Sequence, residues 1–91
     1  MESVVTHTLF VGSSNETGEL HLDRIAKILS RRHDGFTVIG ATGYWKNERE
    51  ESAVIVLSAA HSTVRETIQE LKEELEQQAV GMLFSGSMKF A

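Results

Sequence analysis

The sequence predicts an α+β fold ordered strand, helix, strand, strand, helix, strand. Three observations carry that prediction. β-branched and aromatic residues alternate by two from Val4 to Gly12, and a short apolar run fills Ala53-Val54-Ile55-Val56-Leu57. Apolar residues recur at helical spacing through Leu22, Ile25, Ala26, Ile28 and Leu29, and again through Val64, Ile68, Leu71 and Leu75. Glycine, serine and asparagine clusters separate these stretches. Ninety-one residues suit one domain spanning 1–91, large enough to bury roughly 60 to 65 % of the unfolded chain's surface.

The first strand is expected over Val4–Gly12, with Val5, His7, Leu9 and Val11 on one face and Thr6, Thr8 and Phe10 on the other. Gly12-Ser13-Ser14-Asn15-Glu16-Thr17-Gly18 reads as a loop. An amphipathic helix follows from about Leu20 to His33, acidic early (Glu19, Asp23) and basic late (Arg31, Arg32, His33), as the helix dipole favours. Gly35 is placed to take a left-handed conformation after its last turn. The second strand is expected over Phe36–Lys46, with Gly40 and Gly43 marking a bulge or added twist. Asn47-Glu48-Arg49-Glu50 reads as a four-residue turn, and Ser52–Ala59 as a central strand covered on both faces. Thr63 and Glu66 have the spacing of a capping box, so the second helix is expected from Thr63 to about Gln78. Ala79–Phe90 returns to strand character.

This order, with two right-handed split crossovers, predicts a ferredoxin-like four-stranded antiparallel sheet carrying both helices on one face. The other face is apolar around residues 53–57 and is left without cover, so a second copy, a ligand or a partner protein is expected on it.

Charge and composition exclude several functions. Thirteen Asp and Glu against nine Lys and Arg give a net charge of −4, which leaves no global attraction to nucleic acid or anionic lipid. Thr8-Leu9-Phe10-Val11-Gly12 resembles the first-strand motif of RNA-recognition domains, but the third strand has no aromatic residue, so Phe10 is assigned to an interface or ligand face instead. The absence of cysteine excludes disulfides, zinc fingers and thiol catalysis. His7, His21, His33 and His61 fall in four different elements with no pair at i, i+4, so no metal site is expected. His61-Ser62 is read as a loop entering a helix, since neighbours in sequence rarely face each other as base and nucleophile. Glu66, Glu70, Glu73, Glu74 and Glu76 are assigned to a solvated helix face. The N-terminus has neither the cationic flank nor the apolar run of a signal peptide, and no stretch is long enough to span a membrane, so a cytoplasmic location is expected.

The densest chemical signal is Ala41-Thr42-Gly43-Tyr44-Trp45-Lys46-Asn47. Adjacent Tyr44 and Trp45 must point to opposite faces of a strand. Trp45, Lys46 and Asn47 offer a stacking surface, a cation and an amide, a set suited to a planar anionic ligand such as a nucleotide. Arg65 adds a cation in the first turn expected for the second helix. The competing assignment is that Trp45 anchors a sheet edge or a subunit interface.

Thr8-Leu9-Phe10-Val11-Gly12, Ala41-Thr42-Gly43-Tyr44-Trp45, Glu51-Ser52-Ala53-Val54-Ile55-Val56 and Leu75-Glu76-Gln77-Gln78-Ala79-Val80 together resemble segments of small bacterial and phage proteins. Some of these are similar to the phage anti-Thoeris sponge proteins, which sequester cyclic ADP-ribose-type signals as oligomers and usually have a longer middle section. The resemblance implies a non-enzymatic, anti-defence homo-oligomer that holds a nucleotide-derived signal between subunits, with Trp45, Asn47 and Arg65 matching by position and chemistry. The expected function is therefore binding or sequestration of a small anionic, nucleotide-like ligand, without catalysis, metal, cofactor, nucleic acid or membrane. The alternatives are a protein-interaction module that uses the open sheet face, and a small dimeric ferredoxin-like enzyme.

Overall fold

A computed structural model describes residues 3–13, 20–75, 81–84 and 87–90, the side chains at 45, 81–84 and 87–90 excepted. The elements are β1 (Val4–Gly12), α1 (Leu22–Leu29), β2 (Thr37–Trp45), β3 (Glu48–Ala60), α2 (His61–Leu75), β4 (Gly81–Phe84) and β5 (Ser87–Phe90). The sheet has five strands in the order β2-β3-β1-β4-β5, and every neighbouring pair is antiparallel. β1 therefore lies parallel to β2 across β3, and β3 parallel to β4 across β1, which is the split arrangement expected of this element order. The expected four strands become five because the segment read as one strand folds back into the β4–β5 hairpin.

The core lies between one sheet face and both helices. Leu9 and Val11 of β1 and Ala53, Ile55 and Leu57 of β3 alternate inward and are buried, together with Ile25, Ile28 and Leu29 of α1 and Val64, Ile68 and Leu71 of α2. Leu20, Phe36, Val38, Ala59 and Leu75 close its margins. Val54 and Val56, on the other face of β3, are only half-buried, so β3 is covered on one face rather than two. Across the helix surfaces Arg31 donates to Glu74 and pairs with Glu70, while Arg32 donates to Glu66 at 3.1 Å. Glu66, Glu70 and Glu74 thus tie α2 to the end of α1; Glu76 lies outside the described residues.

Several local expectations are corrected. α1 is shorter than the periodicity suggests. Past Leu29 the chain tightens into three-residue turns, with Arg31 N–H bonding Ile28 C=O and Arg32 N–H bonding Leu29 C=O. Gly35 does not take a left-handed conformation, because the helix has already been closed by those turns. β2 has no bulge, and its register runs unbroken from Thr37↔Val56 to Trp45↔Glu48. Gly43 instead provides close approach, since a Cβ there would meet the Ser52 hydroxyl at 3.2 Å. The β2–β3 turn is two residues, not four. Lys46 and Asn47 take φ of 50° and 65°, the left-handed pair that matches strand twist in a tight hairpin, and Glu48-Arg49-Glu50 continue the ladder. Finally, α2 starts at His61, so Thr63 is inside the helix and makes no capping box with Glu66, which Arg32 engages. Gln77, Gln78 and most of the Gly12–Gly18 loop lie outside the described residues.

Candidate functional site

Gly12, the last residue of β1, pairs with Ser52, so Glu48–Glu51 run past the end of β1 and, among the described residues, pair with β2 alone. The result is a two-stranded ribbon projecting from the sheet, consistent with a molecule 41 Å long and 26 Å by 20 Å across. Trp45, Lys46 and Asn47 form its tip, with Trp45 backbone-paired to Glu48 and its side chain outside the described residues. Lys46 and Asn47 are exposed. Arg65 is elsewhere. β3 is 13 residues long and spans about 40 Å from the tip to the start of α2, so Arg65 lies on the order of 30 Å from Lys46. It is the fifth residue of α2 rather than a first-turn residue, is exposed, and makes no ion pair among the described residues. Within one chain, then, Trp45, Lys46 and Asn47 are gathered and Arg65 is not.

Phe10 belongs to a third place. On the open face the register aligns Phe10 with Val54 and Val54 with Ile39, a cross-strand apolar row in which Ile39 is 50 % exposed. Towards the N-terminal end of β1 the same face turns polar, where Thr6 and Ser58 hydroxyls hydrogen-bond at 2.8 Å.

The ribbon's own charge is mixed, with Glu48, Glu50 and Glu51 against Lys46 and Arg49. Glu50 folds back towards the sheet, close enough that a Cβ on Gly12 would meet its carboxylate at 3.0 Å. Tyr44 is 73 % exposed and directly opposite Arg49. An exposed aromatic beside a guanidinium is a stacking surface with its own cation. Strand alternation already separated Tyr44 from Trp45; what the sequence did not show is that the ladder continues through Arg49 to bring that cation across.

Sequence spacing also missed a histidine pair. His7, fully buried on β1, has Nε2 3.1 Å from Nδ1 of His61 at the start of α2. The ring centres are 5.4 Å apart, close to that gap plus the two ring radii, and the planes differ by 24°. The nitrogens therefore face each other along the line of centres, as a hydrogen bond requires. His7 Nδ1–H donates to Val5 C=O at 2.9 Å, which leaves Nε2 of the neutral ring as acceptor and makes His61 the donor. Burial holds the His7 pKa below its usual 6.5, and His61 lowers it further, against the raising effect of the Val5 bond. His33 forms a second such contact. Thr67 gives its hydroxyl proton to Thr63 C=O at 2.9 Å, so His33 Nε2–H donates to Thr67 Oγ1 at 2.8 Å. Burial, then the neighbouring Arg32, lowers the His33 pKa. No cluster of three metal-ligating side chains occurs among the described residues.

No family model and no curated protein sequence matches the chain. Solved structures do. A phage SAM lyase in its apo state aligns with a TM-score of 0.67 at 15 % identity, covering 99 % of this chain and 89 % of the lyase. CPII, a nitrogen regulatory PII-like protein from Thiomonas intermedia K12 bound to ADP, AMP and bicarbonate, aligns with a TM-score of 0.60 at 10 % identity, covering 100 % and 96 %. CutA from Synechococcus elongatus PCC7942, complexed with Bis-Tris, aligns with a TM-score of 0.58 at 11 % identity, covering 92 % and 81 %. The chain thus shares its fold with small phage and bacterial ferredoxin-like proteins. No helix among the described residues is long and apolar enough to cross a membrane.

Proposed function

We propose that the protein is a non-enzymatic, self-associating binder of a small anionic, nucleotide-derived ligand, held where the ribbon of one copy meets a neighbouring copy. The observation that carries this reading is the projecting ribbon, whose tip presents Trp45, Lys46 and Asn47 far from the cation Arg65 of the same chain. These groups converge on one ligand only across a boundary between copies. Two fold relatives support an adenosine-bearing ligand: one is bound to ADP and AMP, and the other is a lyase of SAM, which also carries adenosine. An anti-defence sponge role fits the same geometry, since sequestration needs a site but no turnover. Phe10 contributes through the apolar row on the open face.

Calorimetric titration with ADP and AMP tests the reading. Stacking of a base on an aromatic ring is worth about 1 to 3 kcal/mol, so Trp45→Ala weakens binding by roughly ten- to a hundredfold. Arg65→Ala weakens it comparably and flattens its salt dependence, while Glu73→Ala on the exposed side of α2 has no effect. No heat from the wild type with either nucleotide, or equal affinities for wild type and Trp45→Ala, contradicts it.

One observation favours a second reading, a small enzyme: the Val5–His7–His61 hydrogen-bonded chain orients an imidazole in the way a general base requires. Steady multiple-turnover consumption of SAM by wild type, lost in His61→Gln, selects that reading over the first.

A further inference from the structure

We propose that the outer edge of β2 is a pairing surface for a second copy of this chain, which adds its own β2 to the sheet. β2 ends the strand order, so the side away from β3 has no partner strand among the described residues. In an antiparallel ladder, successive residues turn their N–H and C=O alternately to either side, so about half of β2's nine residues direct both groups outward. Sheet proteins ordinarily blunt such an edge with lysine, proline, a bulge or a very short strand. β2 has none of these devices: Thr37-Val-Ile-Gly-Ala-Thr-Gly-Tyr-Trp45 carries no charge and no proline, and its register is unbroken. The opposite edge is protected in the usual way, since β5 is four residues long and contains Lys89.

A second, independent observation falls on the same edge. Among the described residues, four large hydrophobic side chains are exposed: Val4, Leu22, Ile39 and Tyr44. Ile39 and Tyr44 belong to β2, on opposite faces, and Leu22 of α1 sits over it, its Cδ1 3.4 Å from where a Cβ on Gly40 would lie. An added strand covers the open backbone groups and the apolar side chains above and below it together. The occupant is a second copy because the edge offers no charge with which to select a charged peptide, whereas an uncharged strand paired with itself meets no like-charge repulsion. The row Phe10–Val54–Ile39 also ends at this edge, and a partner strand lets it continue into the neighbouring sheet.

This inference rests on the self-association in the proposed function but not on the ligand, so a protein that binds no nucleotide leaves it standing. The experiment is native mass spectrometry with sedimentation at tens of micromolar, without added nucleotide, on the wild type and four variants. Ala41→Pro and Thr42→Pro are neighbours on the strand, so one of them removes an N–H that faces β3 and the other an N–H that faces outward. Ile39→Lys places a charge at a half-exposed edge position, and Val4→Lys places one on β1, away from the edge. The expected result is a multi-subunit wild type and Val4→Lys. Ile39→Lys and the outward proline variant fall to the mass of one chain while keeping wild-type circular dichroism and melting; the inward proline variant melts lower. A one-chain wild type, or an unchanged multi-subunit mass in both folded edge variants, overturns the proposal.

Discussion

The two halves of the β2–β3 hairpin live in different surroundings. From Ala53 to Val56, β3 is flanked by β1 and β2, and its inward residues Ala53, Ile55 and, one position on, Leu57 are buried under the helices. From Glu48 to Glu51 it has, among the described residues, one neighbouring strand and no helix over it, and its side chains are all charged, while β2 opposite carries Tyr44 in the open. The helix-covered face of the first half is explained by contacts within the chain. The second buries little of its own, still holds the left-handed Lys46-Asn47 turn and carries one end of the unprotected β2 edge. The proposed ligand and the proposed second copy both fall on this ribbon and its edge.

The widest separation between the halves comes from truncating a large side chain in each. In the one-chain Ile39→Lys background, Ile55→Ala removes a fully buried side chain and costs about 2 to 5 kcal/mol in urea unfolding, whereas Tyr44→Ala at the exposed ribbon stays within about 0.5 kcal/mol. Equal costs would mean that the ribbon is packed as tightly as the core. Next comes Thr67→Val, which leaves the buried His33 Nε2–H without its acceptor and costs about 1 to 3 kcal/mol, read by the same denaturant series.

Acid should weaken the helix-covered half, where His7 and His33 lie. His7 and His33 both have lowered pKa values in the folded protein, so the unfolded chain binds protons more readily. Their stability contribution is complete above 6.5, the ordinary histidine value, and is lost as the pH falls through it. Melting temperature measured from pH 7.5 to pH 5 should therefore drop, and less in a His33→Asn variant. The smallest effect belongs to the tip. Asn47→Gly relieves a left-handed asparagine and raises stability by a few tenths of a kcal/mol, at the edge of what chemical denaturation resolves.

Much of the helix-covered half was legible in the sequence, because burial writes itself as periodicity. Val5-His7-Leu9-Val11 and Val64-Ile68-Leu71-Leu75 name the faces that pack, and β1 has the boundaries its alternation suggests. The ribbon was harder to read. Glu48-Arg49-Glu50 look like a turn because charged residues suit solvent, and an unflanked two-stranded ribbon is solvent-exposed as well. The His7–His61 pair was invisible because 54 positions separate the two, and only the β1–β3 register closes that gap. Strand character was legible at Gly81–Phe84 and Ser87–Phe90, but not the antiparallel pairing of these two strands with each other. Trp45, Lys46 and Asn47 are adjacent by sequence alone; the distance to Arg65 follows from the 13 residues of β3, longer than the apolar run within it.

The central claim is that the exposed half exists to be covered, by another copy and by a small ligand between copies. Native mass spectrometry of the protein as purified from cells, at tens of micromolar and before any ligand is added, tests it most directly. The account predicts a species of two or more chains carrying additional mass that denaturation releases as a nucleotide-derived compound. A single chain at its bare mass of 10.1 kDa contradicts it.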